Sequence, residues 1–482
     1  VPRFGSRAVV RRVVHSEVAH PPDGHEHGAM SDEYDVIVIG AGPVGENAAQ
    51  YAIRGTEYRA VLIERELVGG ECSYYACMPS KALLRPIAVA GATGDLRGVR
   101  PTRIDPADLL ARRDYWVSHY DDSGQVSWAE SAGIDVVRGE ARVSGERQVT
   151  VGERTLTARH AVVLATGSRA AIPSELASVH PWTSRDATGV VEIPPRLAIV
   201  GGGVVACEAA TWMAALGSRV TLLVRSSLLP RLERFAADEV QDGLRRAGVE
   251  VRLGVAVAQA QRPGEVTDDL GRPHGSPVRI LTDGGWEEFD EVLVATGRRL
   301  STDALPEHLR PSAGATPRLP DWLHLVGDVS GEPALTHWGK YRARRLGARL
   351  QAELDGRALP PEPDGVPVPQ VIFTDPEVAT VGPTLAQAQA DDAQAYALDV
   401  PIESASGVGL LIDHPHGRAR LVVAGDGRLV GATFVGPEVA EMLHAATVAI
   451  VGRMTLDQLW HAVPSYPTAS EVWLRLLEST LP

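Results

Sequence analysis

Apolar runs alternate with glycine turns along the first part of the chain. The run DVIVIG from Asp35 predicts a short buried strand, and an alanine-rich helix is predicted near Val44 to Ile53 after a glycine-rich turn. A second apolar run, RAVLIE, predicts the next parallel strand and ends on Glu64. This order of strand, glycine turn, helix and strand indicates half of a dinucleotide-binding fold.

The same order returns about 160 residues later, where RLAIV leads into GGGVVACEAATWMAALG and then SRVTLLVR. Two such units predict two nucleotide sites. Between them the pattern predicts an amphipathic helix around Pro106 to Tyr120 and then strands. Two apolar strands end in ATG, at Thr166 and Gly167 and again at Thr296 and Gly297, and such a small turn can pass close to a cofactor. An ordinary exit from a strand is the alternative.

Length and composition limit the kind of protein. A chain of 482 residues fits about three domains of roughly 150 residues each. No apolar run reaches the ~18 residues of a membrane helix, and the net charge of -14 argues against nucleic acid as a partner. These two features predict neither a membrane nor a nucleic-acid partner. Three cysteines are too few for a secreted disulfide scaffold, so we expect a cytoplasmic protein.

The segment before Met30 lacks the apolar core of a secretory signal, and Met30 itself stands just before the first predicted strand. We interpret residues 1–30 as a disordered leader or a miscalled start. A metal-binding tract at His20, His25 and His27 is the alternative. No metal site is predicted in the folded part.

The first glycine turn has the spacing of a phosphate-binding loop. Gly40 allows the tight turn, Gly42 lets a pyrophosphate approach the backbone, and Gly45 permits close helix packing. Glu64 stands roughly 20 residues beyond this turn, where a carboxylate accepts hydrogen bonds from ribose hydroxyls. A glycine turn kept only for packing is the alternative.

The second turn reads GxGxxA, with Gly201, Gly203 and Ala206. Arg225, rather than an acid, stands roughly 20 residues beyond it, and Arg231 comes soon after. Because cations at this position suit a 2′-phosphate, the pattern favours NADPH over NADH. A solvated arginine pair on a loop is the alternative.

The segment VGGECSYYACMPSKALL carries two of the three cysteines. Four residues separate Cys72 from Cys77, so a disulfide is within reach if the first helical turn is distorted. A helix start also lowers the pKa of a thiol. We favour a redox-active pair over buried structural thiols or half of a zinc site.

These motifs together resemble the flavoprotein disulfide reductases, the class I pyridine nucleotide-disulfide oxidoreductases that include dihydrolipoamide dehydrogenase, glutathione reductase and mercuric reductase. The resemblance covers about Tyr34 to Glu478 and includes LVGD at Leu325 to Asp328 and VIFTDPEVATVG from Val371. It implies an α/β fold with two Rossmann-like dinucleotide-binding domains, for FAD and NAD(P), and a C-terminal α+β dimerisation domain. The implied parts are 31–170 and 298–365 for FAD, with a linker from Ala358, 171–297 for NAD(P), and 366–482 for dimerisation.

The resemblance also implies roles for single residues. Cys77 would be the charge-transfer thiol beside the flavin, and Cys72 the interchange thiol that attacks a disulfide. Lys81 and Glu208 match the ion pair at the reactive flavin nitrogen. Asp328, preceded by Gly327, matches the carboxylate that holds the ribityl chain. The expected enzyme is a homodimer that binds FAD and NADPH.

One position departs from the disulfide-reducing members. They place a histidine before a Pro-Thr near the C-terminus, which carries protons to the interchange thiol of the other subunit. Here VPSYPTASE puts Tyr466 in that place and keeps the glutamate as Glu471, while His461 stands five residues too early. Tyrosine, with an unperturbed pKa near ~10, is a poor base at neutral pH, so efficient reduction of lipoamide or glutathione disulfide is not expected.

Mercuric reductase also resembles the chain in carrying this tyrosine, but it ends in a vicinal cysteine pair that RLLESTLP lacks. Our hypothesis is therefore an FAD enzyme that passes electrons from NADPH through Cys72 and Cys77 to a small acceptor, a disulfide or a quinone. Dihydrolipoamide dehydrogenase activity, mercuric-reductase-like activity and a non-catalytic flavoprotein partner are the alternatives. His337 and Trp338 are interpreted as packing and surface residues, with a part in an acceptor site as the other possibility.

Overall fold

The fold is taken from a computed structural model that describes residues 32–310, 318–361, 363 and 365–480. The leader, with His20, His25, His27 and Met30, lies outside the described residues. The strands are β1 (Glu33–Ile39), β2 (Ala60–Glu64), β3 (Ile134–Arg138), β4 (Ala141–Gly145), β5 (Gln148–Val151), β6 (Arg154–Leu164), β7 (Ser168–Ala170), β8 (Arg196–Val200), β9 (Arg219–Val224), β10 (Glu250–Leu253), β11 (Gln259–Gln261), β12 (Val278–Thr282), β13 (Gly285–Phe289), β14 (Glu291–Val294), β15 (Arg298–Leu300), β16 (Leu323–Leu325), β17 (Gln370–Ile372), β18 (Glu377–Val381), β19 (Tyr396–Pro401), β20 (Arg418–Val423) and β21 (Leu429–Gly436).

The helices are numbered in the same way along the chain. They are α1 (Pro43–Ile53), α2 (Gly70–Tyr74), α3 (Cys77–Gly94), α4 (Pro106–Trp116), α5 (Ser123–Ser131), α6 (Ser174–Ala177), α7 (Ser184–Thr188), α8 (Val204–Ala215), α9 (Arg234–Arg246), α10 (Thr336–Leu354), α11 (Leu385–Asp391), α12 (Ser406–Gly409), α13 (Val439–Val451), α14 (Leu456–Leu459) and α15 (Glu471–Glu478).

The first sheet contains seven strands in the order β3, β2, β1, β6, β5, β4, with β16 also paired to β6. Strands β3, β2, β1, β6 and β16 run parallel, and β5 and β4 form an antiparallel extension. Both faces of its central strands are buried, which explains why β1 and β2 are continuous apolar runs rather than alternating ones.

The second unit is a four-stranded parallel sheet in the order β10, β9, β8, β14. A three-stranded antiparallel sheet of β11, β12 and β13 packs on it through a shared apolar core that includes Val278, Ile280 and Phe289. Strands β7 and β15 form a short antiparallel pair that joins the first sheet to the second unit. The repeated strand and helix order predicted from the sequence is present in both units.

The last unit is a five-stranded antiparallel sheet in the order β17, β18, β21, β20, β19. Helices α13 and α15 cover it, and Phe434 packs against Trp473 within its core. The architecture is therefore mixed α/β, as the sequence predicts. The numbered domain boundaries stay predictions.

Helices α1 and α10 approach each other closely because glycines of α10 face α1. A Cβ added at Gly339 would lie 2.6 Å from Val44 Cγ2, and one added at Gly347 would lie 2.7 Å from the Ala48 carbonyl oxygen. The N-terminus of α10 is thereby brought next to the first glycine turn. Within the described part of the chain, no helix combines the length and apolarity needed to cross a membrane.

Candidate active site

Close packing requires glycine at two positions of the first glycine turn. Gly40 has a φ of 97°, and a Cβ there would lie 2.5 Å from the Ala165 carbonyl oxygen. A Cβ at Gly45 would overlap the Gly40 carbonyl oxygen. At Gly42 the nearest atom to an added Cβ is Gly70 Cα at 3.9 Å, so this position leaves space beside the start of α1.

Glu64 ends β2 beside this turn. Its Oε2 accepts a hydrogen bond from the Ala41 N–H at 2.8 Å, and its Oε1 accepts one from the Glu66 N–H at 2.9 Å. The carboxylate thus lies at the glycine turn, as its spacing in the sequence predicts, and it also holds the turn together.

The second turn repeats the packing with one difference. A Cβ at Gly201 would overlap the Ala295 carbonyl oxygen, whereas at Gly203 it would meet nothing within 4 Å. Ala206 is fully buried in α8, so the third position accepts a methyl group here. Arg225 comes directly after β9 and is exposed, as is Arg231.

The two ATG turns and the LVGD segment come together at β7 and β15. The Thr166 hydroxyl donates to the Ser301 carbonyl oxygen at 2.5 Å. Arg298 Nε donates to Ser168 Oγ at 2.6 Å, and Ser168 Oγ donates to Asp328 Oδ2 at 2.5 Å. Positive φ angles occur at the neighbouring glycines Gly167, Gly297 and Gly327.

The two cysteines of the CSYYAC segment lie together at the junction of α2 and α3. Cys72 and Cys77 are free thiols, both half-buried, and they form a hydrogen bond with each other. The Thr336 hydroxyl, at the start of α10, lies 3.3 Å from Cys72 Sγ and 3.2 Å from Cys77 Sγ. The structure therefore shows the pair as adjacent thiols, and their redox role stays a prediction.

The surroundings make these two thiols unequal. The hydrogen bond from Cys72 lowers the pKa of Cys77 to about 6, helped by Thr336 and by the Lys81 charge and opposed by burial. The same hydrogen bond, burial and the Cys77 charge raise the pKa of Cys72, while Thr336 and Lys340 act against that rise. Cys77 is therefore the thiol that loses its proton more readily, and Cys72 is the one that keeps it more firmly.

An ion pair with a buried carboxylate lies next to Cys77. Lys81 Nζ is 2.8 Å and 3.0 Å from the two carboxylate oxygens of Glu208, which is 4% exposed. Glu208 Oε1 also accepts from the Phe373 N–H at 3.0 Å, and the Lys81 ammonium lies 4.8 Å from the Phe373 ring centre. The pair predicted from the sequence is formed, and the VIFTDPEVATVG segment fixes its carboxylate.

Residues around α10 show what sequence reasoning missed. The sequence does not predict the contact of Thr336 with both sulfurs, although this residue directly precedes His337 and Trp338. His337 Nε2 lies 2.7 Å from the Pro369 carbonyl oxygen, and Trp338 Nε1 donates to Glu332. Both rings thus make packing and surface contacts, in line with the favoured interpretation.

The third cysteine, Cys207, lies apart from the pair. It is fully buried in α8, and burial raises the pKa of its thiol to about 12. Among the described residues, no three His, Cys, Asp or Glu side chains form a group that could hold a metal ion.

The C-terminal residues lie on the last unit. Tyr466 is 76% exposed in the loop before α15. Glu471 is 3% exposed, and its Oε2 accepts a hydrogen bond from the Gly407 N–H at 3.0 Å. This unit also carries exposed apolar side chains, which are typical of a protein interface; they include Val448, Val451, Trp460 and Val463.

Two family models match the chain. The model described as pyridine nucleotide-disulphide oxidoreductase matches residues 34–314, and the model of the dimerisation domain of the same family matches residues 368–476. The chain belongs to the pyridine nucleotide-disulphide oxidoreductase family. This oxidoreductase thus carries the family's dimerisation domain, which supports a homodimer.

Relatives with assigned activities agree with this family. The oxidoreductase is 30% identical to dihydrolipoyl dehydrogenase 2 of Haloarcula marismortui over 92% of its own length and 96% of the relative's. It is 32% identical to the mercuric reductase of Shigella flexneri over 90% of its own length and 79% of the relative's. A similar fold occurs in the HOCl-induced flavoprotein disulfide reductase RclA from Escherichia coli, with a TM-score of 0.78, 22% identity and coverage of 92% and 99%.

The residues present fit the cofactors expected of this family, FAD and a pyridine nucleotide. Both glycine turns leave open space at their middle glycine, Gly42 and Gly203, at the start of a helix. A helix N-terminus with free space beside it suits a pyrophosphate. Glu64 lies at the first turn, and Asp328 lies where both ATG turns meet.

Proposed function

We propose that the protein is an FAD-dependent oxidoreductase that takes electrons from NADPH and passes them through Cys72 and Cys77 to a small acceptor. The observation that carries this proposal is the unequal dithiol. Of the two adjacent thiols, Cys77 has the lower pKa, and the charge of Lys81, which is paired with Glu208, favours its thiolate. Such asymmetry suits one sulfur for electron exchange with a cofactor and the other for attack on an acceptor.

FAD, when bound, supplies the two-electron chemistry that links a nicotinamide to a disulfide. The chain's own residues do the rest. The Lys81 ammonium lies beside Cys77 and favours its thiolate, while the Thr336 hydroxyl contacts both sulfurs. Glu208 fixes the Lys81 ammonium through two hydrogen bonds. In this proposal Asp328, Glu64 and the first glycine turn bind FAD.

The nicotinamide preference rests on the second unit. Arg225 and Arg231 are exposed beyond the end of β9, close in sequence to the turn of Gly201 and Gly203. Guanidinium groups that form paired hydrogen bonds suit a 2′-phosphate, which favours NADPH over NADH.

Two acceptor classes are proposed, and Tyr466 separates them. An exposed tyrosine is a poor base at neutral pH, so a quinone, which needs little thiol protonation, suits a protein that lacks the histidine. Reduction of a disulfide needs another base. Dihydrolipoamide dehydrogenase activity is the second candidate function, because dihydrolipoyl dehydrogenases are among the similar proteins. We further propose a homodimer in the cytoplasm.

The test is an anaerobic titration of the purified holoenzyme with NADPH and then with NADH, followed in the visible spectrum. Lipoamide, glutathione disulfide, mercuric ion and a benzoquinone are then added in turn to the reduced protein. We expect NADPH to reduce it at a concentration at least tenfold lower than NADH, and a disulfide or a quinone to reoxidise it.

Two results would contradict the proposal. Flavin that NADPH leaves oxidised would support a non-catalytic partner. Faster reduction by NADH with rapid reoxidation by lipoamide would establish the dihydrolipoamide dehydrogenase alternative. The Cys72→Ser variant is the control, since electrons that still reach the acceptor at the full rate do not pass through the cysteine pair.

A further inference from the structure

The two cysteines lie on either side of a break between two helices. Cys72 belongs to α2 and Cys77 begins α3, while Ala76 between them has φ -135° and ψ -93°, outside the helical region. In one regular helix, side chains five positions apart point about 140° away from each other. The contact between the two sulfurs therefore depends on how α2 is held relative to α3.

Helix α3 is tied to the second unit close to its cysteine. Lys81, one turn after Cys77, forms its ion pair with Glu208 of α8. Helix α8 also carries Trp212, which is 2% exposed and whose Nε1 donates to the Ala187 carbonyl oxygen of α7 at 3.0 Å. The position of Cys77 is thus fixed against α8, and α8 is joined to α7.

Helix α2 is tied to α7 by Arg185. The Arg185 Nε donates to Glu71 Oε1 at 2.8 Å, and its guanidinium carbon lies 4.4 Å from the centre of the Tyr75 ring. The other contacts of Tyr75 are a stacked Tyr120 ring at 5.5 Å and the Thr188 hydroxyl of α7, which lies 2.9 Å from the Tyr75 carbonyl oxygen. Glu71 is in the first turn of α2 and Tyr75 is its last cap, so one arginine contacts this helix at both ends.

The charges around Arg185 favour one fixed geometry. Its Nη2 donates to Glu66 Oε2 at 2.8 Å, so the guanidinium bonds two carboxylates. Glu71 in turn accepts from Arg298 Nη2 at 2.8 Å, and it directly precedes Cys72 in the chain. A planar guanidinium with several donors fixes direction as well as distance. Because partly exposed ion pairs contribute little to stability, we expect this network to matter more for the position of α2 than for the stability of the fold.

We propose that Arg185 is a positioning residue for the redox step, which holds α2 against α7 so that Cys72 stays beside Cys77. This inference rests on the proposed redox role of the cysteine pair and deepens it. Holding the two thiols together before they react lowers the entropy that closure of the disulfide costs. Loss of Arg185 should therefore make the Cys72–Cys77 disulfide less stable relative to the dithiol.

The test measures the equilibrium of the cysteine pair with dithiothreitol in the holoenzyme. Closure joins the two sulfurs and passes two electrons and two protons to oxidised dithiothreitol, whose own S–S bond breaks. Protein is equilibrated without oxygen in mixtures of reduced and oxidised dithiothreitol and then quenched with excess N-ethylmaleimide. Mass spectrometry of the peptide that carries both cysteines gives the oxidised fraction. The variants are Arg185→Gln, Arg185→Lys, Glu71→Gln and the double variant Arg185→Gln/Glu71→Gln.

The matched control is Arg252→Gln. Arg252 also bonds two carboxylates, those of Glu250 and Glu287, and its side chain is 29% exposed against 34% for Arg185. It lies in β10, at one edge of the second sheet, whereas Trp182, which precedes α7, pairs with β14 at the other edge. The control thus removes a comparable ion pair from the same unit, away from α7.

Arg185→Gln should lower the equilibrium constant for disulfide formation about tenfold, which corresponds to a reduction potential higher by about 30 mV. Lysine keeps the charge but lacks the planar fork, so Arg185→Lys should lose about threefold. The double variant should lose less than the product of the two single losses, because both changes remove the same ion pair. Arg252→Gln should keep the wild-type constant, and its Tm should fall by the same small amount as that of Arg185→Gln.

An Arg185→Gln constant equal to that of the wild type, or the same loss in Arg252→Gln, would overturn the positioning role and leave the proposed function standing. If Arg185→Gln does not fold, Arg185→Lys and Glu71→Gln give the same comparison. A wild type that forms no Cys72–Cys77 disulfide in any mixture would contradict the proposed electron path, and the positioning role with it.

Discussion

The two glycine-turn units share a backbone plan and differ in the residues after the second strand. In the first unit, Glu64 accepts hydrogen bonds from the Ala41 and Glu66 N–H groups and is part of the turn itself. In the second unit, Arg225 and Arg231 are exposed. If the two turns bind the nucleotides as proposed, we expect binding at the first turn to depend on the stability of the fold, and selectivity at the second turn to change without affecting that stability.

The largest effect is expected from filling the third glycine of the first turn. In Gly45→Ala the new methyl group overlaps the Gly40 carbonyl oxygen, and overpacking of this kind costs about 3 kcal/mol. We expect more than tenfold less bound FAD and a Tm lower by roughly 10 °C. Flavin absorbance of the purified protein measures the bound FAD, and thermal unfolding measures the Tm.

The control is Gly124→Ala, a helical glycine where an added Cβ meets nothing within 4 Å. It should keep its flavin and its Tm. Equal losses in both variants would show that the first turn has no special packing requirement.

The next largest effect tests whether nucleotide selectivity in the second unit is independent of the stability of the fold. Removing both guanidinium groups in Arg225→Ala/Arg231→Ala should raise the KM for NADPH by about 10- to 100-fold, because we assign the exposed pair together the contribution of one hydrogen bond to a charged group, about 1.5–3 kcal/mol. The KM for NADH and the Tm should stay unchanged.

Steady-state kinetics with NADPH and with NADH, using any acceptor that reoxidises the wild type, would measure both KM values. Arg234→Ala, an exposed arginine at the start of α9, is the matched control. Equal increases in the KM for NADPH and for NADH would mean that the arginines do not bind the 2′-phosphate.

A smaller effect is expected at the first unit's carboxylate. Glu64→Gln retains an oxygen for one of the two N–H groups, so we expect about 1.4 kcal/mol of weaker FAD binding, roughly tenfold in Kd. Fluorescence of released flavin on dilution measures it. Glu153→Gln, exposed in the β5 to β6 turn, should bind FAD normally. A Tm that falls while FAD affinity holds would assign Glu64 to the turn alone.

Much of the fold could be predicted because its signals are local. The glycine spacing, the apolar runs and the position of Glu64 all lie within single βαβ segments. Family resemblance predicts the Lys81 and Glu208 pair, and the structure forms it. Thr336 could not be found this way, because its contact with both sulfurs depends on α10 lying beside the α2–α3 junction, which comes from a distant part of the sequence.

The smallest effect is expected at the third position of the second turn, where Ala206 stands in place of a glycine. Its methyl group is fully buried in α8, so Ala206→Gly should cost about 1 kcal/mol through helix propensity and lower the Tm by roughly 2–4 °C. Nucleotide affinity should not change, since Gly201 and Gly203 are intact. Ala209→Gly, buried in the same helix, should show the same loss. If Ala206→Gly instead weakened NADPH binding, the second turn would be as closely tied to its ligand as the first, and the contrast between the two units would fail.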